Sequence, residues 1–318
     1  MIDLLLKNNE IKRYQSVSEI NEKTDFLIIQ FNNYTQTDMD WAKRNFDLDF
    51  SIMAHYEDIE ISSHFLEDNR QVSFHFSIPF YDKEKQLTEQ QLFIILSADR
   101  IFFFQSSGFD EFVNETYSRK LSAFQQQTID LNMVFTKYLE FISDYYADIT
   151  ENLAKKVKTL AAKVLIEKRF EAEDMDIVTQ YNFHNLLIKE SLNETMRIYS
   201  LLRKSNFGKD ELINEHINTE LADLIVVSDY IQFNFDRLDD LKDNMNNKID
   251  LEQNHIFKIL TVITLCLSLP TMIAGIYGMN FDVMPELKWA YGYPFAILVM
   301  ILAAVLPYLY FKRKRWLK

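Results

Sequence analysis

Two long apolar runs close the chain, and nothing of their kind precedes them. Residues 256–277 carry a single charge, Lys258, near one end, where its long stem reaches an interface. Residues 291–311 form the second run, after a short polar stretch, 278–290. About 20 helical residues cross a hydrocarbon core of about 30 Å, so each run is long enough to span a bilayer. The pattern predicts two membrane helices followed by a basic tail, 312–318.

Upstream, the pattern alternates and then becomes helical. Residues 3–6 and 10–14 flank the turn Lys7-Asn8-Asn9, and residues 26–31 read as a buried strand. Residues 59–66 and 71–81 flank Glu67-Asp68-Asn69-Arg70, and residues 92–96 and 101–105 flank Ser97-Ala98-Asp99-Arg100. A helix near 38–45, opened by Asp38, interrupts them. Residues 1–108 are therefore expected to form an α/β (α+β) domain with a mostly antiparallel or mixed sheet. Residues 109–208 read as a helical region. Leu131, Val134, Phe135, Tyr138, Leu139, Phe141 and Ile142 mark a helix over 131–168, expected to pair antiparallel with another over 172–204. Gly208, one of five glycines, breaks the second helix. No proline follows Lys209 until Pro270, so a stalk, 209–255, and the first span, 256–277, are predicted to be one helix of roughly 100 Å.

Steps of three and four keep residues on one helical face. Asp236, Asp240, Asp243, Asn247, Asp250, Asn254, Phe257, Thr261, Thr264, Ser268, Thr271 and Gly275 follow such steps. Outside the apolar run the stripe is mostly carboxylate and carboxamide; inside it is mostly hydroxyl. Ile256, Ile259, Val262, Ile263, Leu265, Leu267, Leu269, Met272 and Ile273 fill the other faces. A lone Ser or Thr in a membrane helix ordinarily bonds back to its own backbone or joins helices. Four in register below a row of acids resemble a cation pathway, which two spans per chain enclose only in an oligomer. A plain coiled-coil spacer would carry a Leu/Ile seam. Here Asp229, Asp236, Asp243 and Asp250 recur every seven residues, a row that copies around an axis would make repulsive unless cations or water filled the centre.

Composition narrows the chemistry. The chain of 318 residues has net charge −13; the tail carries +5 and residues 255–311 sum to zero, which leaves −18 on residues 1–254. Such an acidic surface excludes nucleic acid as a natural partner and suits divalent cations. Cys266 is the one cysteine and lies inside the first span, so no disulfide framework exists. The N-terminal Met1-Ile2-Asp3-Leu4-Leu5-Leu6-Lys7 is too short and acidic for a signal peptide. His55, His64, His75, His184, His216 and His255 show no metal-ligand spacing. No phosphate loop or nucleophile signature is present, so no enzyme and no cofactor are expected. Arg237, Lys242, Lys248 and the tail flank the spans, whereas the connecting loop has only Lys288; both termini are expected to be cytoplasmic in a cell membrane.

Tyr277-Gly278-Met279-Asn280 at the end of the first of two C-terminal spans resembles the signature of the CorA family of magnesium channels. Ala274-Gly275-Ile276 before it, Phe281 after it, Met284-Pro285-Glu286-Leu287, Gly292-Tyr293-Pro294 and the ending Lys312-Arg313-Lys314-Arg315-Trp316-Leu317 continue the likeness. Over residues 1–210 the likeness is one of layout only.

The resemblance implies a funnel-shaped homopentamer in which Asn280 of each subunit contributes to a selectivity ring, with Gly278 and Met279 shaping it. Mg²⁺ dehydrates reluctantly, so a carboxamide ring would hold the hydrated ion without trapping it. Asp282 and Glu286 would attract cations outside, although both also read as solvated loop charges. By the same resemblance Thr271 matches a pore hydroxyl, Leu260 a hydrophobic gate, Asn254 a polar ring and Asp243 an acidic ring. Phe257 and Ser268 stand where methionines occur in the family. Closure by cytosolic Mg²⁺ is expected to involve sensor acids, but the matching positions here are Thr219 and Ala222, with Glu220 and Asp223 beside them. Mg²⁺ is thus both substrate and regulatory ligand on this reading, with Co²⁺ and Ni²⁺ as co-permeants. The alternatives are a Zn²⁺ or Co²⁺ transporter of the same architecture and a non-conducting coiled-coil scaffold or sensor.

Overall fold

The computed structural model describes residues 1–8, 10–21, 24–54, 64–82, 86–105, 130–167, 171–280 and 284–316. It divides into two compact units, Met1–Asp240 and Leu241–Lys318.

The first unit is built on a seven-stranded sheet. Its strands are β1 (Ile2–Leu6), β2 (Ile11–Tyr14), β3 (Phe26–Asn32), β4 (Phe65–Glu67), β5 (Gln71–Tyr81), β6 (Leu87–Ser97) and β7 (Ile101–Gln105). They lie in the order β2-β1-β3-β7-β6-β5-β4. Every pairing is antiparallel except β3 with β7, where Phe31 sits opposite Phe104. The sheet is therefore mixed, as the alternating pattern predicts. β3 and β7 are buried along their whole length, because both faces of the sheet are covered.

β7 shows the two faces directly. Phe102 and Phe104 join the cluster with Phe26, Phe31 and Ile95, against which Trp41 and Phe46 of α1 (Gln36–Phe46) pack. Phe103 points the other way, its ring 4.4 Å from Tyr138 of α2 (Leu131–Ala161). α1 begins two residues before Asp38: Thr35 is its N-cap, and Asp38 completes a capping box at the third position. The acid at the start of this helix therefore acts one turn further in than the sequence suggests. β6 starts five residues before Leu92, at Leu87. The turn residue Asn9, most of the 59–66 strand and the helical onset near Phe109 lie outside the described residues.

α2 continues into a π-helical turn, Ala162–Ile166, and α3 (Ala172–Lys204) returns beside it. Tyr199 donates to Leu139 O at 2.8 Å, Tyr146 and Thr195 hydroxyls are 2.9 Å apart, and Lys163 Nζ lies 2.7 Å from Asp174. As one number rises the other falls, so the pair is antiparallel. α4 (Glu211–Tyr277) then packs on α3, with Asn185 donating to Ile231 O at 2.9 Å and Arg203 to Asn218 at 2.9 Å.

α4 does carry the apolar seam that the acid row obscured. Ile213, Ile217, Leu224, Val227, Ile231 and Leu238 are buried at steps of three and four, with Glu220 and Asn234 as the polar members of the seam. Asp229 and Asp236 lie two residues before seam positions, which places them on the opposite, exposed side.

The second unit contains the rest of α4, the 3-10 turn Pro285–Lys288 and α5 (Gly292–Arg313). Pro270 lies within α4 and Pro307 within α5.

The α3–α4 connection depends on Gly208. A Cβ there would stand 2.4 Å from Leu202 O and 2.5 Å from Arg203 O, both backbone atoms that cannot move independently of α3. Gly208→Ala is expected to cost about 1–3 kcal/mol, the usual range for forcing a methyl into packed surroundings. A lowered thermal midpoint of the purified protein checks this, and an unchanged midpoint refutes it.

Candidate functional site: the α4 stripe and its exit

In both α4 and α5 the most apolar stretch is long enough to cross a membrane, yet only 6% of each is buried. A soluble core helix of that composition would be almost wholly covered, so these surfaces face something other than water. Aromatic residues stand at both ends of α5. Trp289 lies 6.3 Å from Tyr291 and 5.7 Å from Phe295 at one end, and Phe311 lies 4.8 Å from Trp316 at the other. That is the distribution of interfacial anchors.

Within the apolar stretch α4 has two distinct faces. Val262 is 2% exposed, and Ile259, Leu265, Cys266, Leu269 and Ile273 around it are partly covered. Asp243, Asp250, Asn254, Phe257, Thr261, Thr264, Ser268, Thr271 and Gly275 are all exposed, on the side away from Val262. Leu260, given a gate role by the resemblance, is also exposed.

The hydroxyls have a definite local chemistry. Thr261, Thr264 and Thr271 donate to Phe257 O, Leu260 O and Leu267 O at 2.8, 2.8 and 2.7 Å. This is the back-bonding anticipated for membrane helices. Each proton is thereby directed into the helix, and each oxygen keeps acceptor capacity. At Gly275 a Cβ would meet nothing within 4 Å, so the helix surface there is open.

α4 ends at Tyr277. Gly278 N–H donates to Ala274 O at 2.9 Å and Met279 N–H to Ile276 O at 3.2 Å, while Met279 and Asn280 are exposed just beyond. The resemblance has Gly278 shape the ring by letting the backbone turn. Its backbone is in no left-handed conformation; a Cβ would instead approach Ala274 O to 3.2 Å. Glycine supplies clearance there. Asp282 lies outside the described residues, and Glu286 lies in the 3-10 turn with its side chain outside them.

Glu220 and Asp223, three residues apart on α4, differ in burial. Asp223 is exposed, whereas Glu220 is 6% exposed and sits in the α4 seam. Desolvation raises the Glu220 pKa above the ordinary value of 4.5; Ser143 hydrogen-bonds it in opposition, while Asp223, Glu140 and Asp144 push it further up. The acids contributed by α2, Glu140 and Asp144, carried no signal in isolation. Only a seam assignment on α4 would have turned Glu220 toward them. Among the described residues no group of three or more His, Cys, Asp or Glu side chains is placed to hold a metal ion.

An α/β domain joined by a long helix to two exposed apolar helices defines a membrane protein with a pair of C-terminal spans. Residues 23–313 match the family described as CorA-like Mg²⁺ transporter protein. A magnesium transport protein CorA of Wolinella succinogenes is 28% identical over 324 residues, covering 100% of both chains. One of Escherichia coli (strain K12) is 30% identical over 266 residues, covering 82% of each. The complete CorA magnesium transporter structure from Methanocaldococcus jannaschii superposes with TM-score 0.81 at 17% identity, covering 100% of this chain and 99% of that one, a likeness of fold. The chain belongs to the CorA-like Mg²⁺ transporter family.

The Glu220 environment makes a prediction with a sign. Its pKa is raised in the folded chain, so below about 4.5 both folded and unfolded forms are protonated and no penalty exists. As pH rises the unfolded form ionises first, and stability falls until the folded pKa is passed. Glu220→Gln is expected to raise the thermal midpoint at neutral pH in Mg²⁺-free buffer, with the gain shrinking toward pH 4. A midpoint lower than wild type throughout would show that the carboxylate is held by favourable contacts instead.

Proposed function

We propose that this chain is a homopentameric channel that admits Mg²⁺ down its electrochemical gradient. The observation that carries the reading is the exposed polar face of α4 running to Gly278-Met279-Asn280, opposite the face around Val262. An acceptor-rich face is costly against lipid and needs water or other copies of itself. Family membership and relatives named as magnesium transport proteins support Mg²⁺ as the ion.

In this mechanism the Asn280 carboxamides ring the outer mouth and accept hydrogen bonds from the water shell of the ion. Gly278 and Met279 set the ring's position. Asp282 and Glu286 raise the local cation concentration outside. Thr271, Ser268, Thr264 and Thr261 offer oxygen to the hydrated ion in turn, Leu260 and Phe257 narrow the path, and Asn254, Asp250 and Asp243 receive it. With both termini cytoplasmic, inward passage of a divalent ion gains about 4.6 kcal/mol per 100 mV, so no energy-supplying site is needed. Co²⁺ and Ni²⁺, hydrated to similar size, pass by the same route.

Uptake into proteoliposomes under an inward Mg²⁺ gradient tests this. Wild type should show Mg²⁺ entry, and Asn280→Ala should lower it at least tenfold, the effect of losing about 1.4 kcal/mol or more at the selective step, with oligomer size unchanged. Wild-type uptake by the variant removes Asn280 as the filter, and absence of uptake by wild type removes the channel.

Regulation by internal Mg²⁺ follows if Glu220 and Asp223 sense it, since a divalent cation relieves the repulsion among Glu220, Asp223, Glu140 and Asp144. Glu220→Ala with Asp223→Ala should then abolish Mg²⁺-dependent protection from proteolysis. Protection at the wild-type Mg²⁺ midpoint would exclude these two acids as the sensor.

A further inference from the structure

The chain's last helix does not simply run out. Arg315 has φ 61°, a left-handed conformation uncommon for a residue with a Cβ. It turns the chain so that Trp316 N–H donates to Phe311 O at 3.1 Å and Arg315 N–H to Lys312 O at 3.1 Å. The Trp316 ring settles 4.8 Å from Phe311. From the other helix, the Lys258 ammonium lies 6.0 Å from the Trp316 ring centre, at the edge of cation–π range. Lys312 similarly lies 5.8 Å from the Tyr308 ring.

The consequence is electrostatic. Lys258 from α4 and Lys312, Arg313, Lys314 and Arg315 at the end of α5 gather at one end of the helix pair. No acid occurs between Gln253 and Phe281, nor from Leu287 to the end of the chain. Among the described residues none of the five cations is in an ion pair. A topogenic charge needs only to be counted, not positioned. Here a left-handed residue and an aromatic staple order the tail beside a cation of the neighbouring helix, at the end of the apolar stretch where headgroups would lie.

We propose that this corner is a binding site for the phosphate of an anionic phospholipid headgroup, with Lys258 and the 312–315 cations as ligands and Trp316 as the staple. An anionic headgroup at this level supplies a counter-charge that the described residues do not bring to these cations, and its acyl chains continue along the exposed apolar face of α5. A zwitterionic headgroup brings a cation with its phosphate and is a poor match. The site rests on α4 and α5 spanning a bilayer. It is independent of which ion passes, so its failure would leave the uptake experiment untouched.

The test titrates the full-length protein in neutral detergent, without Mg²⁺, with dioctanoyl phosphatidylglycerol, dioctanoyl phosphatidylcholine or inorganic phosphate. Trp fluorescence and the thermal midpoint are followed. Phosphatidylglycerol should saturate. Lys258→Gln should weaken it about fivefold, the effect of one cation at an anionic membrane surface. Trp316→Ala, which keeps every charge, should weaken it comparably. Equal binding of the two lipids, or displacement of phosphatidylglycerol by phosphate at matching concentration, would overturn the proposal. So would wild-type affinity in Lys258→Gln, which also decides the matter if the Trp316 variant fails to fold.

Discussion

An oxygen or N–H in hydrocarbon must be paired, and this requirement governs how α4 can be built. Three of its threonines meet it locally by donating to the carbonyl four residues back. That bond consumes the proton but leaves acceptor lone pairs on the helix surface. A surface of acceptors is a poor neighbour for lipid tails and a good one for water around a cation. The opposite face, around Val262, has no such demand and is already covered. The helix thus separates a face for packing from a face for solvent within one membrane span.

The same division operates upstream with different residues. The seam from Ile213 to Leu238 is buried in heptad spacing, while Asp229 and Asp236 are turned outward. Burial of the seam fixes the rotation of the helix, and that rotation fixes where the carboxylates point. Two seam positions depart from apolar chemistry. Asn185 of α3 donates to Ile231 O beside buried Asn234, and Glu220 is held near acids of α2 at the cost of a raised pKa. Polar groups inside a helix seam specify register at some expense of stability.

How much of this was legible follows from what each element asks of its sequence. β5 and β7 were readable to the residue, because Ile101–Gln105 is a nearly continuous apolar run, Gln71–Tyr81 alternates polar and apolar positions, and each follows a cluster of turn residues. β6 was readable only from Leu92, since its first half, Leu87-Thr88-Glu89-Gln90-Gln91, is polar after Leu87. Its side chains meet other polar groups, as where Ser77 donates to Glu89 at 3.1 Å, so the strand carries no hydrophobic signal there. The membrane helices and Tyr277–Asn280 were legible by length and motif. The α4 seam was masked by a second heptad of aspartates offset by two residues. The sequence offers Glu220 only as a candidate sensor acid beside Asp223, whereas its surroundings come from a helix some eighty residues earlier.

Charge placement along α4 completes the division of labour. Below the apolar stretch the stripe is acidic, with Asp243 and Asp250; from 251 onward through Asn280 it holds only neutral oxygen donors and apolar side chains. The one cation of that stretch, Lys258, lies about a quarter-turn away from the stripe and toward Trp316. A divalent ion inside a low-dielectric surround interacts strongly with any fixed charge. A carboxylate there would hold it, and an ammonium would exclude it. Dipolar oxygens do neither, and they leave the ion its water, which Mg²⁺ gives up slowly. On the channel reading, confining the stripe's formal charge to its stalk end, and drawing Lys258 off it toward the tail, is therefore what lets one helix bind a hydrated divalent cation weakly enough to release it.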